Sequence, residues 1–252
     1  MLKQKQAEEK YREMNKFSYF LLSLALIFLN SLCFAQQTGK LMVSFNQEAN
    51  GREIVVRDST YSNPFGETYT IKKLKYYTGQ WNFNNRIIDL YTLINAASEE
   101  NHVEFDLPPG KYREFSFLLG VDSASNCSGA QEGALDPMND MFWTWNSGYI
   151  MFKLEGNSQE STADLNRIEW HIGGYKGPLN ATRRITFNEP FEIIAGKTTQ
   201  MEIVLNLDKV WDGKNKIKIS EDPMCMTMGA LAQKIADNFQ GMFSIKTISL
   251  LP

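Results

Sequence analysis

Histidine and cysteine are both scarce in this chain of 252 residues, with two of the first and three of the second. That scarcity narrows the chemistry at once. There is no His-Glu-x-x-His helix, no Gly-x-Ser-x-Gly elbow and no phosphate-cradling Gly-Lys loop. A Ser-His-Asp arrangement would have to use His102 or His171, and nothing sets a serine beside either. A glycosidase-type carboxylate pair stays open, since any two acids can meet in a fold; a hydrolase of that kind is the third-ranked reading, and the expectation is a protein that is not an enzyme. A basic excess is missing too. Without residues 1–35 the chain carries 21 Lys and Arg against 26 Asp and Glu. No basic stripe offers nucleic acid a footprint, so no nucleic-acid partner is expected.

Long apolar runs are also absent. The one apolar stretch, Tyr19 to Leu29, is too short to span a bilayer as a finished helix. It follows Lys16 and precedes Ser31-Leu32-Cys33-Phe34-Ala35, small residues suited to a signal-peptidase site. Residues 1–35 therefore read as a Sec signal peptide, with Met14 as an alternative start and cleavage before Gln36. Asn30-Ser31-Leu32-Cys33 lacks the small residue that a lipobox needs before its cysteine. The expected product is not an integral membrane protein, and its location is periplasmic or on the outer surface. Residues 36–252 show no linker, charge block or repeat, and read as a single domain.

What the chain does have is short alternating segments. Leu41–Phe45 and Glu53–Val56 flank Asn50-Gly51, a strong hairpin signal. Thr68–Tyr77, Arg86–Ile94, Tyr112–Gly120, Ile150–Glu155 and Met201–Leu207 follow, with an Asn-rich loop expected near Asn82, Asn84 and Asn85. Many short strands without intervening helical patterns predict an all-β fold, an antiparallel Greek-key or Ig-like β-sandwich. Leu231, Ile235 and Phe239 are spaced four apart and predict one short amphipathic C-terminal helix over Ala230–Gln240, covering an open end.

Chemistry concentrates between Gly120 and Gly174. A loop of roughly twenty residues without its own pattern is usually functional. It opens on Gly120-Val121 and Asn126-Cys127, and leads into Met141-Phe142-Trp143-Thr144-Trp145 and then Gly148-Tyr149. His171-Ile172-Gly173-Gly174 comes later. These three motifs, in this order, resemble the MbnP-like copper-binding domain family; Tyr76-Tyr77 and Pro109-Gly110-Lys111-Tyr112 fit as well. The likeness covers roughly residues 40 to 230. The run from Ser128 to Pro137 is similar to the Bacteroidetes-type branch of that family.

The resemblance implies a periplasmic or surface β-sandwich in which copper is held by two histidines and an oxidised tryptophan. On this chain the later histidine falls on His171, and the tryptophan falls on Trp143, with Trp145 second. The other histidine position is occupied by Cys127, so the resemblance implies either a thiolate ligand or a missing one. Imidazole and thiolate both suit Cu(I). Met224, Cys225, Met226 and Met228 add a second soft-donor segment, and alternate residues of a strand there would present together. Cys127 and Cys225 are equally candidates for a disulfide. The expected partner is a copper ion or a copper-carrying partner. The alternative from a different class is a surface binding or adhesion module without metal, using the 120–140 loop as its recognition surface. Calcium is not expected, because Asp122, Asp136, Asn139 and Asp140 match no defined calcium loop. Packing alone accounts for the paired tryptophans, and a strand histidine is ordinarily structural.

Overall fold

The computed structural model describes residues 37–144 and 146–251, together with Arg12 and Lys16. Apart from those two positions, the leader expected over residues 1–35, with Cys33, lies outside the described residues, as does Trp145. Among the described residues, no helix is long and apolar enough to cross a membrane.

Strand β1 (Gly39–Ala49) alternates between buried and half-buried positions along its whole length. Asn50 and Gly51, both at positive φ, turn it into β2 (Arg52–Glu53), so the expected hairpin forms with a shorter second strand. β3 (Thr60–Ser62) precedes β4 (Thr68–Phe83), which runs on well past Tyr77. The expected Asn-rich loop shrinks to a two-residue turn, Asn84-Asn85, both at positive φ, before β5 (Arg86–Ile88). Then come β6 (Thr92–Asn95), β7 (His102–Leu107), β8 (Gly110–Tyr112), β9 (Phe115–Leu119), helix α1 (Ser123–Cys127), β10 (Phe142–Thr144), β11 (Gly148–Asn157) and β12 (Arg167–Gly173). The chain closes with β13 (Arg183–Phe187), β14 (Phe191–Ile193), β15 (Thr198–Asn206), α2 (Asp208–Trp211), β16 (Met224–Cys225), α3 (Ala230–Asn238) and β17 (Phe243–Leu250). Residues 39–252 make one compact unit.

Two sheets carry the fold. One orders its strands β17-β15-β1-β2, with β7 also on β1; the other runs β13-β9-β4-β11-β12-β16, with β3, β5, β6 and β10 attached. Aromatic rings join them. Phe45 of β1 meets Phe117 of β9 at 5.8 Å between centroids, and Phe117 meets Phe243 of β17 at 5.3 Å and Trp81 of β4 at 5.0 Å. Met201, Ile203 and Leu205 of β15 turn their one-faced pattern fully inward. The architecture is an all-β sandwich, with one correction to the antiparallel expectation: β1 with β15, and β12 with β16, run parallel. Each parallel pair joins segments far apart in sequence, with room for the crossover that parallel pairing requires.

The predicted C-terminal helix forms as α3, followed by a 3₁₀ turn over Phe239–Gly241. Its buried Ala232, Ile235 and Ala236 pack onto the main core, and Phe239 meets Phe152 of β11 at 5.0 Å.

Strand β11 is buried on both faces. Phe152 and Leu154 enter the main core, while Ile150 and Met151 join Tyr77, Val121, Leu135, Met141, Tyr149 and Tyr175 in a second cluster. The 120–140 segment covers this second cluster and is not structureless. It holds α1, capped by the Asp122 carboxylate on the Ser125 N–H, and 3₁₀ turns over Gly133–Leu135 and Pro137–Asn139. The outer face of the second sheet therefore carries a third layer, and the conspicuous residues gather around it.

Candidate metal-binding face

Strand alternation decides where His171 points. Trp170 and Ile172 are fully buried in the core, so His171 between them faces outward, with 12% of its side chain exposed. Its Nε2 lies 2.9 Å from Oε1 of Glu155 on the neighbouring β11. Burial works to raise the Glu155 pKa, but the hydrogen bond from His171 and the ammonium of Lys73 outweigh it and hold the carboxyl below its usual range. An ionised carboxylate only accepts, so Nε2 carries the proton. Burial lowers the His171 pKa below its ordinary value, against the raising effect of Glu155. The ring is thus neutral at neutral pH, with its lone pair on Nδ1. A histidine whose proton is fixed by a carboxylate is the usual form of a metal-ligating imidazole.

Glu155 belongs to a larger charged group. Lys153, only 2% exposed, lies 3.1 Å from Asp140 Oδ1 and 3.8 Å from Glu155, and also donates to the Asp140 carbonyl. Lys73 reaches Asp140 at 2.8 Å and Glu155 at 3.3 Å. Burial would raise the Asp140 pKa, but the two lysines overcome it and pull the carboxyl down to about 2. These pairs fasten the end of the 120–140 segment to β4 and β11. Sequence reasoning missed Lys73, Lys153 and Glu155, and weighed Asp140 only as an oxygen donor to calcium. The available signal was the alternation of Lys153 and Glu155 with Phe152 and Leu154 on a strand whose outward face had no stated purpose.

Trp143 on β10 belongs to the same face. A Cβ added to Gly173 would fall 2.6 Å from Cζ3 of Trp143 and 2.9 Å from the Tyr149 carbonyl oxygen. The six-membered ring therefore lies directly on Gly173, two residues along β12 from His171 and on the same side. The structure brings His171 and Trp143 together.

Cys127 is elsewhere. It is an exposed free thiol at the end of α1. Buried Asn126 anchors that helix: its Oδ1 accepts from the Tyr149 N–H at 2.9 Å, and its Nδ2 donates to the Val121 and Asp122 carbonyls. The hydrogen bond to Tyr175 first, and the charge of Cys127 second, raise the pKa of the Lys176 ammonium. Four residues of β11, about 13 Å of extended strand, separate Tyr149 from Lys153, the partner of His171. His171 also leans toward Glu155, further still from Tyr149. Asn126, next to Cys127, is thus anchored at the Tyr149 end of β11, and His171 meets Glu155 further along the same strand. Among the described residues, no group of three or more His, Cys, Asp or Glu side chains could hold a metal ion.

The disulfide alternative is corrected as well. Cys225 is a free thiol, 5% exposed in the core beside Trp170, and burial pushes its pKa up to about 11. An inward-facing Cys225 and an exposed Cys127 are two unpaired thiols. The strand expected to present Met224, Met226 and Met228 together ends at Cys225. Met226 is exposed, and Met228 packs with its Cγ 3.2 Å from the position of a Cβ on Gly174.

The oxygen donors weighed for calcium are occupied locally. Asp122 caps α1 and accepts from Gln80, Asp136 accepts from the Met138 N–H, Asn139 donates to the Gly133 and Ala134 carbonyls, and Asp140 holds the lysines. His102 is exposed at the start of β7.

The family model described as MbnP matches residues 38–227. A solved structure, MbnP from Methylosinus trichosporium, superposes with a TM-score of 0.52 and 12% sequence identity, covering 77% of this chain and 82% of that chain. At that identity the likeness is one of fold. No curated protein matches the chain. The family match spans most of the sandwich, including the 120–140 segment, Trp143 and His171, and this chain belongs to the MbnP family.

Proposed function

We propose that this is an exported copper-binding protein in which His171 supplies the imidazole ligand and Trp143 walls the site. The observation that carries this reading is the 2.9 Å contact between His171 Nε2 and the Glu155 carboxylate, which takes the ring proton on that nitrogen and leaves the lone pair to Nδ1. Such a nitrogen donates to Cu(I), a soft ion satisfied by two or three ligands. Glu155, itself held by Lys73 and Lys153, fixes the ring orientation before the ion arrives. Bound copper would here be carried or handed to a partner. Export rests on the Tyr19–Leu29 run and the small residues ending at Ala35. The test is a Cu(I) titration of the exported protein against a chromogenic chelator. We expect one equivalent to be withdrawn from the chelator, and His171→Ala to abolish the competition. No competition by the unsubstituted protein sinks the reading.

A second reading, surface recognition by the 120–140 segment without metal, is favoured by one observation. Met138, in the Pro137–Asn139 turn, is 88% exposed on a segment anchored by Asn126 and Asp140. That combination suits a partner surface.

A further inference from the structure

We propose that the second copper ligand is the thioether of Met226, supplied by the open edge of the sheet, and that Cys127 takes no part. The inference rests on the copper reading above and deepens it. Strand β16 pairs with β12 in parallel, Glu169 beside Met224 and Trp170 beside Cys225. One residue beyond those pairs, Met226 follows Cys225 as His171 follows Trp170. The chain bends over residues 227–229, yet the Cγ of Met228 still lies 3.2 Å from where a Cβ on Gly174 would stand. Two fixed points, one on each side of Met226, thus hold the segment against β12.

Alternation gives the facing. Cys225 and Trp170 both point into the core and His171 faces outward, while Met226, just past the end of β16, is exposed. Neighbouring strands lie about 4.8 Å apart, which a methionine side chain spans easily. Methionine usually serves as adaptable core filler, but Met226 is 41% exposed and fills nothing. β16 ends the strand order of its sheet, so the ion meets this edge directly from solvent. An imidazole with one thioether is a soft donor pair that selects Cu(I) over Zn(II) and over harder divalent ions.

The experiment compares Cu(I) titrations of the full chain exported to a bacterial periplasm with those of Met226→Leu, Met224→Leu, Cys127→Ser and His171→Ala. X-ray absorption at the copper edge and thermal denaturation accompany each. Met226→Leu conserves volume at an exposed site, so its melting temperature should match the parent. We expect it to weaken Cu(I) binding by about 10-fold or more, the scale on which metal-site substitutions act. It should also remove the copper–sulfur scattering, while Cys127→Ser and Met224→Leu keep both. Binding that is lost in His171→Ala but unchanged in Met226→Leu overturns this proposal alone. Loss in Cys127→Ser returns the thiolate to the site and overturns it too. An unsubstituted protein that never competes for Cu(I) removes the underlying copper reading, and this proposal with it.

Discussion

At Gly173 the missing side chain is what seats Trp143. A methyl group there would meet the indole ring at 2.6 Å and the Tyr149 carbonyl at 2.9 Å, and the carbonyl, being backbone, cannot step aside. Gly173→Ala should therefore expel Trp143 from the sheet face and cost about 1–3 kcal/mol, the range of overpacked sites. Tryptophan emission and thermal denaturation report on it; unchanged spectra and stability would mean that Trp143 is not held by Gly173. The same logic explains why the His-x-Gly-Gly pattern was readable as a motif while its use was not. The sequence shows that a glycine follows His171 by two, but which ring fills the space depends on β10 folding back on β11, the neighbour of β12.

Strand β11 is the element on which the candidate face is built, and Asp140 is its outer clasp. The pH dependence follows from the direction of its shift. Its carboxyl is lowered in the folded protein from 3.8 to about 2, so the folded state favours the ionised form. The stabilisation is fully present above about pH 4, and is lost as pH falls through the folded value near 2. Asp140→Asn removes the two lysine pairs at every pH. Its melting temperature should lie below that of the parent above about pH 4, and the gap should close between about pH 4 and pH 2. A gap that stays constant over that window would show that the clasp contributes nothing ionic. The 120–140 segment teaches a related point. It reads as a patternless loop because its buried apolar residues Val121 and Leu135, with Met141 just beyond it, follow no single period although all join one buried cluster.

At the scale of the whole molecule, Phe117 joins the sheets, touching Phe45 and Phe243 on one side and Trp81 and Phe187 on the other. Phe117→Ala should lower the stability by about 3–5 kcal/mol in chemical denaturation, the usual cost of deleting a buried phenylalanine. A cost below about 1 kcal/mol would mean that the sheets are held together elsewhere. Strand character, the Asn50-Gly51 hairpin, the C-terminal helix and the family likeness were all legible, because alternation, turn chemistry and helical spacing are local properties of the chain. His171 and Trp143 could be named from sequence for the same reason, as parts of short motifs. Their partners could not. Glu155 meets His171 through β11–β12 pairing, Asp140 reaches Lys73 across many residues, and Met224 and Cys225 come beside Glu169 and Trp170 only because β16 lies parallel to β12. Cys127 shows the converse, a motif position whose neighbour Asn126 is anchored at Tyr149 of β11, while His171 pairs with Lys153 further along the strand. The sequence by itself determined the class of fold and the kinds of donor available. The tertiary structure alone decided which donors meet, because strand register across a sheet is set by long-range packing that no local stretch of chain contains.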